Sequence, residues 1–277
     1  MTQEQINYSC KYIKSSQLDT FHEDGHICLK SILPVSQVGF LESKTDEVID
    51  HLEFQQSGME KAVARLNGNR EMIFIENIFR YSKPLSDFFF NGIVADIAKD
   101  ILNTNNITLY RDQTYYKLSG GDATPWHQDG IFTPLDDVKF VTFWIPFHDI
   151  TENHSPMSYI KSSHKACYLG SVFDRFHDFD SFKGLSESQG YTTVTYDSIN
   201  LGDIIVHDKW TLHGSPKMAE GFSRKALVLM YATTPLSFSD EPLLSSCHSD
   251  LQREALDLRR WSISSYQNSI DTRKMYS

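Results

Sequence analysis

The run Gln113-Thr114-Tyr115-Tyr116-Lys117-Leu118, the turn Ser119-Gly120-Gly121-Asp122, the pentapeptide Trp126-His127-Gln128-Asp129-Gly130 and the run Phe140-Val141-Thr142-Phe143-Trp144-Ile145 decide the fold. β-Branched and aromatic residues fill the first and last pieces, and Gly, Asp and Pro punctuate the space between. That is the pattern of short strands joined by turns. Working outward, similar β-type runs cover 107–118, 138–147, 191–196, 203–207 and 225–233. Upstream the period changes. Val38 to Leu52 carries apolar residues at 38, 41, 48, 49 and 52, a helical stripe. Pro84 to Ile101 reads as a second helix, with Pro84 tolerated in its first turn. A last amphipathic helix is expected over 250–261, with Leu251, Ala255, Leu258 and Trp261 inward.

Helices followed by many short strands predict a mainly β chain with flanking helices, an antiparallel sandwich or barrel. Strands do not alternate with helices, and no Gly-rich phosphate loop appears, which argues against a parallel doubly wound sheet. We expect one domain over 1–277: mostly helical support over 1–105, the β core over 106–235 and a helical C-terminal segment over 236–277.

Lys plus Arg total 26 against 36 Asp plus Glu, a formal charge of −10, so nothing neutralises phosphate. No nucleic acid or anionic membrane is expected as a partner. Cys10, Cys28, Cys167 and Cys247 have neither metal-type nor disulfide-type spacing and read as reduced thiols. Met1-Thr2-Gln3-Glu4-Gln5 opens no basic-then-apolar leader, and no apolar run reaches the roughly 18 residues of a membrane span. A cytoplasmic location is therefore expected. The sequons at Asn7, Asn106 and Asn153 read as chance.

Among eleven histidines, His-x-Asp occurs at His22-Glu23-Asp24, His127-Gln128-Asp129 and His248-Ser249-Asp250. A two-histidine, one-carboxylate metal site needs the pair at one rigid strand end and a third imidazole from another strand. Strand alternation puts residues i and i+2 on one side, so both can reach one ion. Only the middle copy lies between β-like runs; the other two read as surface or packing residues. For the third ligand, His213 fits and His207 competes, since both stand in Gly202-Asp203-Ile204-Ile205-Val206-His207-Asp208-Lys209-Trp210-Thr211-Leu212-His213-Gly214-Ser215. Arg224 opens the next run, Lys225-Ala226-Leu227-Val228-Leu229-Met230-Tyr231, where its fork can bind a carboxylate bidentately or stand as an exposed strand-edge cation.

These pieces together resemble the phytanoyl-CoA dioxygenase family, a branch of the iron(II)/2-oxoglutarate oxygenases. The matching parts are Trp126-His127-Gln128-Asp129-Gly130, Val141-Thr142-Phe143-Trp144-Ile145, Asp149-Ile150-Thr151-Glu152-Asn153, Ser162-Ser163-His164-Lys165, Gly202-Asp203, His213-Gly214-Ser215 and Arg224. Phe21 through Leu33 resembles the family's opening segment. The resemblance implies a double-stranded β-helix, or jelly-roll, core. It puts His127, Asp129 and His213 at the metal, Arg224 at the distal carboxylate of 2-oxoglutarate, Ser215 and Trp144 along the oxoacid pocket, and Gln113 facing cosubstrate or substrate. The family's usual Glu-Asn-Gly is replaced here by Glu152-Asn153-His154-Ser155-Pro156, a change expected to alter a turn and spare the metal site.

The cofactors so implied are Fe(II), 2-oxoglutarate and O2, with succinate and carbon dioxide released as a substrate C–H bond is oxidised. Asp129 occupies the position that related halogenases fill with Gly or Ala, so hydroxylation is the expected outcome. Desaturation, ring closure and epoxidation are alternatives. No basic surface suited to coenzyme A is visible, so a small neutral or hydrophobic metabolite is expected ahead of an acyl-CoA. The stretch Phe173 to Phe182 is either a lid over the substrate or a loop tucking its phenylalanines onto the sandwich. A catalytically silent jelly roll would have lost part of the triad or the arginine, and a zinc hydrolase of this ligand set needs a glutamate base that no His-Glu-x-x-His supplies.

Overall fold

The computed structural model describes residues 12–55, 61–62, 72–133, 135, 138–167, 169, 179–188 and 190–236. Helix Ser15–Asp24 (α1) leads into strand His26–Leu29 (β1), helix Val35–Gln55 (α2) and strands Lys61–Ala62 (β2) and Met72–Glu76 (β3). Helices Lys83–Asn91 (α3) and Ile93–Leu102 (α4) follow, then strands Ile107–Lys117 (β4), Thr124–His127 (β5), Phe140–Pro146 (β6) and Ser158–Ile160 (β7). Helix Phe179–Ser188 (α5) precedes strands Thr193–Thr195 (β8), Ile204–Asp208 (β9), His213–Ser215 (β10) and Arg224–Thr233 (β11).

The strands form two antiparallel sheets, a jelly-roll pair. The larger has the order β1-β9-β6-β11-β4-β3-β2 and the smaller β5-β10-β7-β8. β6 is buried at every position, because helices cover one face and the small sheet the other. Val141, Phe143 and Ile145 join Ile204, Val206, Leu227 and Leu229 in a core shared with α2, α3 and α4. Trp144 points the other way, into a second core between the sheets with Tyr110, Tyr159, Ile205, Val228 and Met230. Alternation along one strand thus separates a structural core from an interior wall.

Directly paired residues share a face. On the interior wall one row runs Arg111↔Met230↔Thr142↔His207↔His26 across β4, β11, β6, β9 and β1. At the far end of β4, Lys117 pairs with Arg224. These two rows organise everything below.

The structure differs from the sequence reading in two places. The helix expected over Pro84 to Ile101 is two helices, broken at Gly92, whose backbone is extended (φ −83°, ψ 173°). A Cβ there would lie 2.4 Å from the Phe88 carbonyl oxygen, so glycine permits the bend that aims α4. Strands β1, β2, β3, β5, β7 and β10 were not expected as strands, and β1, β2 and β3 bring parts of the first 105 residues into the large sheet. The helix expected at 250–261 lies outside the described residues. Of 173–182, residues 179–182 are described: Phe179 and Phe182 pack on Trp126 at ring separations of 4.9 and 5.5 Å, the tucked arrangement.

Candidate metal and oxoacid site

The sequence Trp126-His127-Gln128-Asp129-Gly130 alternates between two environments. Trp126 is fully buried, donates its indole N–H to the Phe179 carbonyl (3.0 Å) and stacks on the Phe179 ring. Gln128 donates to the carbonyls of Cys167 (2.8 Å) and Trp210 (2.6 Å) and accepts from the Leu169 N–H (3.0 Å). Those two side chains pin the segment. His127 and Asp129 turn the opposite way. Gly130 closes the motif because a Cβ there would stand 2.5 Å from the Trp210 ring.

β5 pairs with β10 so that His127 and His213 are directly opposite, their rings 4.2 Å apart. Each imidazole donates its Nδ1–H to the carbonyl two residues earlier, Pro125 (2.7 Å) and Thr211 (2.9 Å). A carbonyl only accepts, so both Nε2 atoms keep their lone pairs. Asp129 divides its two oxygens. Oδ1 lies 3.7 Å from His127 Nε2 and 3.6 Å from His213 Nε2. Oδ2 accepts from the Thr142 hydroxyl (2.6 Å) and from His207 Nε2 (3.0 Å). One donor atom from each of His127, Asp129 and His213 lies within 4.8 Å of the others. That is close to the span of two metal–donor bonds of about 2.1 Å each.

The donor chemistry fits a divalent ion. Burial opposes the charge of Asp129, and the imidazoles of His213, His207 and His127 outweigh it, so the carboxyl sits far below its ordinary range. Burial, with His127 and His207 adding to it, pushes His213 well below its ordinary value, and burial likewise lowers His127. Two neutral imidazoles and one carboxylate are what a facial ligand set requires. His207, the competing third histidine, stands behind Asp129, with the Tyr159 hydroxyl 3.3 Å from its Nδ1.

Arg224 and Lys117 are both buried and share one register position. Lys117 Nζ donates to Ser215 Oγ (3.0 Å), Ser155 Oγ (3.1 Å) and the Pro216 carbonyl (3.2 Å). Arg224 donates from Nη1 to the Ser155 carbonyl, its Cζ lies 5.4 Å from the Trp144 ring, and its Nε has no partner. No carboxylate among the described residues pairs with either cation. Burial, reinforced by Arg224's charge, pushes the Lys117 amine down to about 6; burial lowers Arg224 to about 10. A guanidinium and an amine desolvated together without a counter-ion form a site that an anion completes. Ser155 takes a left-handed conformation (φ 51°), which turns its carbonyl to Arg224 and its hydroxyl to Lys117. The altered turn at 152–156 therefore reaches the cation pair.

Gln113 touches neither Arg224 nor the triad. Its amide donates to Glu76 (2.5 Å) and accepts from the Tyr115 hydroxyl (3.0 Å). The sequence reading missed Lys117 and Thr142. Lys117 carried a usable signal, a lone cation in an aromatic strand, but its pairing with Arg224 depends on strand register. Thr142 carried none.

The profile of the family described as Phytanoyl-CoA dioxygenase (PhyH) matches residues 21–226. The chain belongs to this family. It is a family of non-haem iron(II)- and 2-oxoglutarate-dependent dioxygenases, whose cofactors, Fe(II), 2-oxoglutarate and O2, suit the triad and the cation pair. A curated relative, the probable alpha-ketoglutarate-dependent hypophosphite dioxygenase of Stutzerimonas stutzeri, is 26% identical over 165 residues. That match covers 57% of this chain and 56% of the relative, so the chain spans little more than half of that protein. Solved structures share the fold. The non-heme alpha ketoglutarate dependent carbocyclase SnoK from nogalamycin biosynthesis superposes with TM-score 0.69 at 16% identity, covering 87% of this chain and 90% of its own. EctD from S. alaskensis gives 0.65 at 19%, covering 85% and 82%. No helix among the described residues is long and apolar enough to cross a membrane.

Proposed function

We propose that the protein is an iron(II)- and 2-oxoglutarate-dependent hydroxylase of a small-molecule metabolite, with His127, Asp129 and His213 holding the metal and Arg224, Lys117 and Ser215 the distal carboxylate of 2-oxoglutarate. The observation that carries this reading is the division of Asp129. One oxygen faces both free Nε2 atoms, while Thr142 and His207 occupy the other. A carboxylate held so would offer one oxygen to the ion, beside one nitrogen from each imidazole.

Iron(II) with 2-oxoglutarate supplies the chemistry: decarboxylation to succinate and carbon dioxide coupled to oxidation of a substrate C–H bond. The chain's own residues supply geometry. The Pro125 and Thr211 carbonyls orient the two imidazoles, and Thr142 and His207 fix the carboxylate. Arg224 and Lys117 register the cosubstrate, while Trp144 lies against the arginine. The retained carboxylate supports hydroxylation over halogen transfer. SnoK, named a carbocyclase from nogalamycin biosynthesis, makes ring closure the alternative outcome and supports a natural-product tailoring role.

The test is a metabolite screen for substrate-stimulated succinate release, with iron and ascorbate present. Iron(II) and 2-oxoglutarate added anaerobically should give a metal-to-oxoacid charge-transfer band, and zinc should abolish both the band and turnover. Absence of the band with all ligands supplied would overturn the reading.

A further inference from the structure

One more cation stands on the interior wall, its side chain only 12% exposed, and no described group saturates it. Arg111 opens the row Arg111–Met230–Thr142–His207, whose last two members hold Asp129. Strands lie about 4.8 Å apart, so the Arg111 backbone is roughly 10 Å from that of Thr142. Lys117 stands on the same strand face, 117 − 111 = 6 residues away, roughly 20 Å along β4. That is too far for one distal carboxylate to serve both cations.

A guanidinium carries five N–H donors in a fixed fork. For Arg111 the nearest acceptor is Glu76 Oε1, 3.5 Å from Nε, too long for a normal hydrogen bond, and that oxygen already accepts from Gln113. Arg111 Nε is buried without a partner, and its terminal nitrogens make no hydrogen bond to any described residue. Burial opposes its charge, but Glu76 first, then Tyr110, Tyr115 and Asp129, outweigh that and keep it ionised. The Cζ atom lies 5.7 Å from the Tyr110 ring. The fork thus keeps donors that no protein acceptor takes, and an oxyanion is the acceptor that matches their charge and geometry.

We infer that Arg111 receives an anionic group of the substrate, a carboxylate or similar oxyanion, and that Glu76, Gln113 and Tyr115 position the guanidinium for it. The inference rests on the dioxygenase reading above and names the substrate class for that site. It replaces the expectation of a neutral or hydrophobic substrate. That expectation came from the lack of a basic surface suited to coenzyme A, whereas the interior wall carries Arg111, Lys117 and Arg224 on one side of the sheet. Glu76 tunes the site: it is the carboxylate nearest Arg111, and it is held by Gln113, whose own carbonyl is held by Tyr115.

The experiment uses the full chain loaded anaerobically with iron(II) and 2-oxoglutarate. Phenylacetate, hexanoate and benzoate, each against its uncharged amide, are titrated calorimetrically. At least one acid should bind tenfold or more tightly than its amide. Arg111→Met should remove that difference while the charge-transfer band with 2-oxoglutarate persists, which reports an intact fold and cosubstrate site. Glu76→Gln, which removes the competing charge, should tighten acid binding several-fold and stands as a second variant should Arg111→Met fail to fold. Acids that bind no better than amides, that bind Arg111→Met unchanged, that displace 2-oxoglutarate, or that do not bind at all would overturn the inference. Loss of the charge-transfer band in the unmodified protein would instead strike the dioxygenase reading.

Discussion

Replacing Lys117 with Met keeps the side-chain length and removes the charge, so it isolates what the second cation adds to 2-oxoglutarate binding. The Lys117 amine, pushed down to about 6 by burial and by Arg224, is mostly neutral at pH 7 in the empty protein. Binding a carboxylate beside it favours the charged form, so the complex takes up a proton and affinity must fall as pH rises. A charge-assisted hydrogen bond to the carboxylate contributes about 2 kcal/mol. Protonating the amine costs about 0.4 kcal/mol at its pKa and ~1.4 kcal/mol one pH unit above it. The net gain is then about 1.6 kcal/mol near pH 6, or roughly fifteenfold in Kd, and about 0.6 kcal/mol near pH 7, or roughly threefold. By about pH 8 the cost exceeds the gain, the neutral amine is bound instead, and the variant equals the wild type. The assay is anaerobic titration of the charge-transfer band with 2-oxoglutarate at each pH. A variant-to-wild-type ratio that stays flat or rises with pH would refute the reasoning.

Arg224→Lys keeps a charge and loses the two-pronged donor geometry, so KM for 2-oxoglutarate should rise at least about tenfold, measured by succinate release. His127→Ala, Asp129→Ala and His213→Ala should each abolish iron binding, whereas His207→Ala should retain iron with affinity weakened roughly 10- to 100-fold, since it supports the carboxylate from behind; equilibrium dialysis separates the two classes. Asp112 is buried and accepts from the Ile78 N–H (2.8 Å), and burial raises its carboxyl from 3.8 to about 7. Its folded value exceeds its unfolded one, so the stability it contributes is present below about pH 4 and lost as pH rises through 7. Thermal melts of Asp112→Asn against wild type should therefore diverge across that window and run parallel above it.

What the sequence disclosed and what it hid follow from the range of the interactions. Long strands such as β4, β6 and β11 announce themselves through their own composition, and His127 with Asp129 through a two-residue spacing. The strands of the small sheet do not. β7 and β10 are three residues each, too short for a period to register, although His213 rides on one of them. His213 and His207 could not be ranked from spacing, because the difference between them is which sheet each joins: β10 opposite His127, or β9 beside β6. Lys117, Thr142 and Arg111 are placed by antiparallel register across three strands, a long-range property that no local window contains. The fold class lay within reach of the pattern, and the ligand set within reach of the motif. Arg224 was legible beside them, whereas Lys117 and Arg111, its proposed partners in holding cosubstrate and substrate, were not.

The two sheets divide the work in a way that accounts for the placement of the acid. The small sheet offers two imidazoles from paired strands, and its β5 ends at His127, so the carboxylate has to come from the turn that follows. A turn fixes a side chain less firmly than a paired strand does, since fewer backbone hydrogen bonds constrain it. The large sheet compensates by presenting Thr142 and His207, adjacent on paired strands, to the oxygen that does not face the imidazoles. The same row continues through Met230 to Arg111. A packing change at Met230 therefore reaches Asp129 on one side and the proposed substrate anchor on the other. Volume-altering substitutions there should shift substrate affinity and iron affinity together, whereas changes in the Lys117–Arg224 row should shift only the response to 2-oxoglutarate.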